Sequence, residues 1–583
     1  MLISFRVSHF NFARRIMARR EPRRAAPTFE ELIDDYESPS DELDSDSDNE
    51  EDHLEEESGS SSSESGHEEA QHAAQSRSAR EDFIGKDGTV WSFYPPPPGR
   101  FNSANVFHQR EGPTASAKKA TIIETFSLMC PDDIIQTVTQ YTNDFAKEFI
   151  ARNPGRWYSS RWRDVDTMEM KAFIGCLLYI GVFKSRHESY SSLWSKEHGR
   201  APLRAAMSLS RFTLLLKFLR FDDTRTRSVR KQRDKLAPIR EIWNSFLSCS
   251  RKFYVPGCDT TIDEQLVGFM GRFPFRMYIP SKPSKYGMKI WTLADSKSFY
   301  IFNYDVYLGK RGTSPEVAQG KRVVEELMQP LFGSGRNVTV DNFFTSVPLA
   351  QSLLQNTLTL TGTIRSNKRE IPPEFKANSQ RQQHSCVFGF TRRMMMCSYV
   401  PKRHKSVILL STQHRRPEIS DRDDRKPLVI LDYNSCKGAV DTIDQMIASY
   451  SCARATRRWP LRLFFHLLDT AALNAFIVWT KNVPSWNSGK NFRRRLFLTD
   501  LAFSLMHEHT ERRGSVLQLH RSVREAIEDV GVHVERETVP QSASRGRCQL
   551  CPTRNQVKSR CMKCSSFICK DHSSRGSLCN QCF

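Results

Sequence analysis

Apolar positions recur along this chain first with a helical period and then with the period of strands, and the change divides it. Spacings of three and four residues predict helices over 122–129, 132–150, 167–183 and 209–221. The longest apolar run, 172–183, is about twelve residues, too short to span a bilayer, so it is assigned to a core. After Asp259 the runs shorten, gain β-branched and aromatic residues, and are punctuated by turns. FRMYI from Phe275, KIWTLAD from Lys289, FYIFNYDVYL from Phe299 and NVTV from Asn337 read as strands, and TTIDEQ from Thr260 as a buried strand or helix face. A helix is expected over 321–331, and a long buried one over 456–481, where Leu461, Phe464, Phe465, Leu468, Leu473, Phe476 and Ile477 recur. The order predicts an α/β core between helical segments.

Residues 28–116 carry no such pattern. The block ESPSDELDSDSDNEEDHLEEESGSSSSESGHEE and the PPPPG run after it predict disorder, because too little apolar surface is present to offset chain entropy. This segment is a solvating spacer or an acidic tail that competes for the body's partner, and its serines beside acidic residues are sites where phosphorylation would deepen the charge. The first 24 residues are Arg-rich, which admits a mitochondrial presequence, and either Met1 or Met17 starts the chain. Net charge is +20, yet 30–69 holds nineteen Asp and Glu and no Lys or Arg, leaving +39 on the rest. A surplus of that size points to a polyanion. At 583 residues, and about 150 per domain, several units are expected.

Three acidic residues each sit at the end of a β-branched or apolar run, read as buried strands or a buried helix face that each end in one carboxylate: Asp263 in TTIDEQ, Asp341 in NVTVDNFF and Asp441 in KGAVDTIDQ. One such Asp is more often a cap or turn residue. Three brought together at strand and helix ends would cage hard divalent cations for phosphodiester chemistry, since two ions clamp the attacking and leaving oxygens.

Longer segments decide between these readings. VPGCDTTIDEQLVGFMGRFPFRMYIPSKPSKYGMK from Val255, NVTVDNFFTSVPLA from Asn337, GTIRSNKREIP from Gly362, YNSCKGAVDTIDQM from Tyr433 and SCARATRRWPLRLFFHLLDTAALNAF from Ser451 resemble the piggyBac-type DNA transposases, in the family's order. The resemblance covers 126–583. It implies an RNase H-like catalytic core with an inserted subdomain, an α-helical dimerisation and DNA-binding domain, and a small C-terminal zinc-binding cross-brace domain. The implied division is a disordered region 1–116, helical domain 117–258, core 259–366, insertion 367–427, core 428–450, helical domain 451–530, linker 531–547 and Cys-rich domain 548–583. The gap of 100 residues between Asp341 and Asp441 independently calls for an insertion.

The resemblance further implies that Asp263, Asp341 and Asp441 form a catalytic triad holding two Mg²⁺ or Mn²⁺ ions, with Asp444 as an additional acidic position. Arg365 and Lys368 match positions that contact target DNA, and Trp459 an aromatic near the scissile end. Lys282, Lys285 and Lys289 flank the active-site opening and are candidate phosphate contacts. The implied activity is cut-and-paste transposition through hairpinned ends with joining at TTAA, on double-stranded DNA, by a homodimer, in the nucleus and away from membranes. The alternative is a domesticated DNA- or chromatin-binding protein that keeps the fold without cleaving.

The tail carries its own signal. Cys548, Cys551, Cys561, Cys564, Cys569, His572, Cys579 and Cys582 form four pairs, each with two intervening residues. Eight ligands suit two tetrahedral Zn²⁺ ions. Cross-brace alternation puts one ion on Cys548, Cys551, Cys569 and His572 and the other on Cys561, Cys564, Cys579 and Cys582. Disulfides are the alternative; eight scattered cysteines elsewhere and no evident signal peptide argue for a reducing compartment. The ligand order departs from the common RING and PHD orders, against a ubiquitin ligase or histone reader. The family's counterpart recognises transposon-end DNA, a task that Arg554, Lys558, Arg560, Lys563 and Lys570 suit.

Overall fold

The expectation of disorder as far as 116 is corrected over residues 82–97 and 107–116, beginning with an Asp-Gly turn. The structure is a computed structural model describing residues 82–97, 107–309, 316–517, 519–535, 545–551, 556–562, 566–574 and 578–579. Strands β1 (Phe83–Ile84) and β2 (Val90–Trp91) pair as a hairpin. Its turn is set by Gly88 at φ 87° and by Asp87, whose carboxylate accepts from the N–H of Thr89 at 3.1 Å and its hydroxyl at 2.8 Å. Trp91 is wholly buried and donates Nε1–H to the Glu370 carbonyl at 2.9 Å, while Phe83 meets the edge of Phe375. The Asp-Gly between FI and VW was a legible hairpin signal. Further on, β3 (Gly112–Pro113) pairs with β4 (Tyr254–Val255).

Helices α1 (Ile122–Met129), α2 (Asp132–Arg152), α3 (Thr167–Val182) and α4 (Leu209–Phe218) follow the predicted spacing closely, and α5 (Arg240–Lys252) was not anticipated. Thr121 and Glu124 cap α1 reciprocally, satisfying N–H groups that the first turn leaves unpaired. Along α3, residues from Ala172 to Val182 are all buried, so the apolar run at its centre is core.

Nine strands form the central sheet. They are β5 (Asp259–Gly268), β6 (Arg276–Tyr278), β7 (Tyr286–Asp295), β8 (Ile301–Val306), β9 (Asn337–Val340), β10 (Thr359–Thr363), β11 (Cys386–Phe390), β12 (Met395–Lys402) and β13 (Lys405–Ser411). The order is β11-β12-β13-β10-β9-β5-β7, with β6 and β8 both on β7. Only β10–β9 and β9–β5 are parallel, and β9 is buried at every position, as a central parallel strand should be. Helices α6 (Gln319–Met328) and α7 (Val347–Gln355) supply the crossovers. Residues 367–427, expected as an insertion, contribute β11, β12 and β13 to this same sheet.

Two helices then cross the sheet, α8 (Leu428–Lys437) and α9 (Ala439–Ser449), before α10 (Trp459–Asn482) and α11 (Arg493–Gly514) return to the helical layer. Among the described residues α10 is long and apolar enough to cross a membrane, but 89% of that window is buried within the fold. Gly175 lets α3 and α11 approach: a Cβ there would lie 2.8 Å from Met506 Cγ and 2.9 Å from the Ala502 carbonyl.

Charge also joins these helices. Glu169 on α3 receives both Nε and an Nη of Arg211 at 2.8 and 2.7 Å, and α11 adds Arg512 to Asp166. Burial raises the Glu169 carboxyl, but the Arg211 hydrogen bonds and charge prevail and hold it below the usual range. Glu169→Ala would strand the buried Arg211 and is expected to cost about 3–5 kcal/mol; urea unfolding measures it, and Glu169→Ala with Arg211→Met should cost less.

Candidate active site

Strand β5 carries the first carboxylate because its Thr-Thr-Ile run seats Thr260, Thr261 and Ile262 in the core while the pleat turns alternate residues to one face. Asp263 therefore sits mid-strand, not at the strand end that the sequence pattern implied. Thr261, Asp263 and Gln265 share the face covered by α8 and α9: Thr261 Oγ1 donates to the Cys436 carbonyl at 2.9 Å, and Gln265 Nε2 donates to Asp444 Oδ1 at 2.8 Å. The parallel pairing of β5 with β9 ends at Ile262 opposite Val340. Asp341 is the next residue of the chain, so Asp263 and Asp341 leave the paired region side by side.

Asp341 is held by its own turn. Its Oδ1 accepts from the Phe343 N–H at 2.9 Å and its carbonyl from the Thr345 hydroxyl at 2.8 Å. Asp441 occupies the first turn of α9, where the helix dipole favours an anion, and Asp444 follows one turn on. Lys282, in the turn between β6 and β7, donates to Asp441 Oδ1 at 2.8 Å and to the Glu264 carbonyl at 2.9 Å, with Asp444 at 3.9 Å.

The site is electrostatically costly. Burial, then the charge of Glu264, pushes the Asp263 carboxyl up to about 8. The same two causes raise Asp341. Burial pushes Asp444 up to about 6 against the hydrogen bond from Gln265. Hard carboxylate oxygens on a rigid strand, at a strand end and in a helix's first turn fit Mg²⁺ or Mn²⁺, whose charge would reverse these upward shifts. Asp263, Asp341 and Asp441 are the residues that could hold it.

Of the other predicted contacts, Lys289 is near enough for its charge to act on Asp341. Lys285 is exposed at φ 52° in the same turn as Lys282. Arg365 is exposed beyond β10, 3.4 Å from Asn342 Oδ1, and Lys368 is half-buried in the turn that follows. Trp459 opens α10, half-buried against Phe273 at 5.2 Å between ring centroids. Lys289 lies 3.8 Å over the Trp291 ring and 5.2 Å from that of Phe343. Sequence reasoning missed Gln265 and Thr292, whose hydroxyl donates to Gln265 Oε1 at 2.8 Å. The period of two from Asp263 would have pointed to Gln265.

At the other end of the chain, Cys548, Cys551, Cys569 and His572 bring their ligand atoms within 4.8 Å of one another, the one such group among the described residues. Cys551 Sγ is 3.3 Å from Cys569 Sγ and 3.4 Å from His572 Nδ1, spacings of free thiols around a point, compatible with a shared tetrahedral ion such as zinc. Burial raises the Cys548 thiol, but the N–H groups of Cys569 and Leu550 and the neighbouring thiols bring it down to about 7. Of the second set, Cys561 is buried, while Cys564, Cys582 and the Cys579 side chain lie outside the described residues.

Comparison with known proteins places this arrangement. The family described as transposase IS4 matches residues 122–476, more than half of the chain. Human PiggyBac transposable element-derived protein 5 is 28% identical over 243 residues, 41% of this chain and 44% of that protein. Human PiggyBac transposable element-derived protein 3 is 22% identical over 369 residues, 60% of each. The match thus spans less than two thirds of either relative. A piggyBac transposase solved by cryo-EM as a synaptic complex with hairpin DNA is 36% identical, with a TM-score of 0.72, over 82% of this chain and all of that one. This chain belongs to the piggyBac-type transposase family.

Proposed function

We propose that this protein is a cut-and-paste DNA transposase with an RNase H-like core, acting on its transposon ends and a TTAA target. The observation that supports the proposal is that Asp263 and Asp341 leave two adjacent parallel strands side by side, while Lys282, which feels the charge of Asp263, donates to Asp441 in a helix's first turn. The solved relative, bound to hairpin DNA, supports excision through hairpinned ends. Two Mg²⁺ or Mn²⁺ ions at these carboxylates would supply acidity for water and positive charge for both ends of an in-line displacement at phosphorus. Asp263 and Asp341 hold fixed orientations through strand pairing and the Phe343 N–H, and Gln265 fixes Asp444 beside them. Arg365, Lys285 and the C-terminal domain with two zinc ions bind DNA phosphate and end sequence, and a homodimer in the nucleus brings two ends together.

A domesticated, non-cleaving DNA-binding protein is the second reading, favoured by relatives named as element-derived proteins. A cell excision reporter flanked by the element's own terminal repeats separates the two. Wild type is expected to give footprint-free repair, and Asp341→Ala a loss of at least about 1,000-fold. DNA binding without excision by wild type would select the second reading.

A further inference from the structure

Lys282 is placed unlike a surface phosphate contact. Its side chain is only 12% exposed, and its ammonium spends its donors inward, on Asp441 and on the Glu264 carbonyl. Asp444 lies at 3.9 Å, and the charge of Asp263 also favours the ammonium. The turn carrying it is tightly closed: the Ile279 N–H donates to the Lys285 carbonyl at 2.8 Å and the Lys285 N–H to the Lys282 carbonyl at 3.0 Å. Backbone rearrangement is therefore restricted, and the four-carbon stem is the part free to swing.

A divalent cation taking Asp441 would stand within a few ångströms of this ammonium. Two cationic groups on one carboxylate repel strongly, so one must leave. An ammonium expelled from the carboxylates stays in the turn that carries exposed Lys285, a cation that suits a polyanion.

Resting on the active-site reading above, we propose that Lys282 is a two-position counter-ion: it holds Asp441 while no divalent cation is bound, and is released to a DNA phosphate when the cation arrives. Cation binding and DNA binding are then linked, and the linkage is reciprocal. The lysine keeps the carboxylates neutralised in the free protein and is supplied to the backbone of the substrate only when the site is loaded.

The test uses the full chain with its zinc in place and no DNA, titrated with Mn²⁺ by calorimetry. Lys282→Met should bind Mn²⁺ about tenfold more tightly than wild type, as removal of a nearby unit charge requires. Lys282→Arg should stay close to wild type, and Asp441→Asn should bind more weakly. Unchanged or weaker binding by Lys282→Met, with Asp441→Asn weakened, would overturn the proposal while leaving the active site intact. No effect of Asp441→Asn would instead remove Asp441 from the metal site, and the proposal with it. With a short DNA duplex followed by anisotropy, Ca²⁺ should strengthen binding more for wild type than for Lys282→Met; equal strengthening would refute the release step.

Discussion

Stripping metal from the protein with a strong chelator is expected to unfold the C-terminal segment and leave the transposase body standing. Little apolar material holds that segment: Cys561 and Ile568 are its buried cluster, with Leu550 and Leu578 half-covered beside them. Among the described residues, four two-residue strands and one three-residue helical turn cannot offset the entropy of ordering the chain. The ligand group Cys548, Cys551, Cys569 and His572 must therefore supply the folding energy, on the order of 10–16 kcal/mol for zinc in small metal-dependent domains. Limited proteolysis after chelation should cut after residue 535 and release the segment, while the body's unfolding midpoint holds. Metal analysis should find two zinc ions per chain in wild type and one in Cys551→Ser. A chelated protein as protease-resistant as the untreated one would show that the four ligands hold nothing.

The sequence carried those helices and strands whose period was long or strongly punctuated: α1 and β9 coincide with the runs that predicted them, while α5, α7 and β11 to β13 were not anticipated. The carboxylates were legible as residues but not as geometry. Asp263 looked like a strand end because it closes the β-branched run Thr260–Ile262, yet antiparallel pairing with β7 carries β5 on to Gly268. Strand pairing is decided by neighbours that no local pattern contains. The same holds for Lys282. A lysine between two prolines in a turn reads as solvent-facing, and only the position of α9 over the sheet gives it Asp441. Residues 367–427 appeared as an insertion because their length exceeds a crossover, but length says nothing about which edge accepts their strands. The hairpin at Trp91 shows the opposite error: the signal was local and present, but it was submerged in an acidic, proline-rich neighbourhood.

Asp263→Asn is expected to abolish strand cleavage and at the same time to stabilise the metal-free protein. The first effect follows if the carboxylate is a cation ligand, since a neutral amide oxygen replaces an anion where charge does the work. The second follows from the upward shift of Asp263 to about 8, caused by burial and by Glu264. With its folded value raised above the unfolded 3.8, the native state binds the extra proton across that window. Stability from this group is therefore full below about pH 4 and declines as pH rises towards 8. The amide cannot ionise, so the variant should lose that slope and gain about 1–3 kcal/mol near neutral pH in the absence of divalent cation. Urea unfolding in a chelator at pH 5 and pH 8 measures both the gain and its pH dependence. Adding Mg²⁺ should then stabilise wild type at pH 8 more than Asp263→Asn, because only the wild-type carboxylate has a charge for the cation to neutralise. A variant less stable than wild type at pH 8, with or without cation, would mean that Asp263 is held by native interactions stronger than its burial, and that the site is built for structure and not for metal.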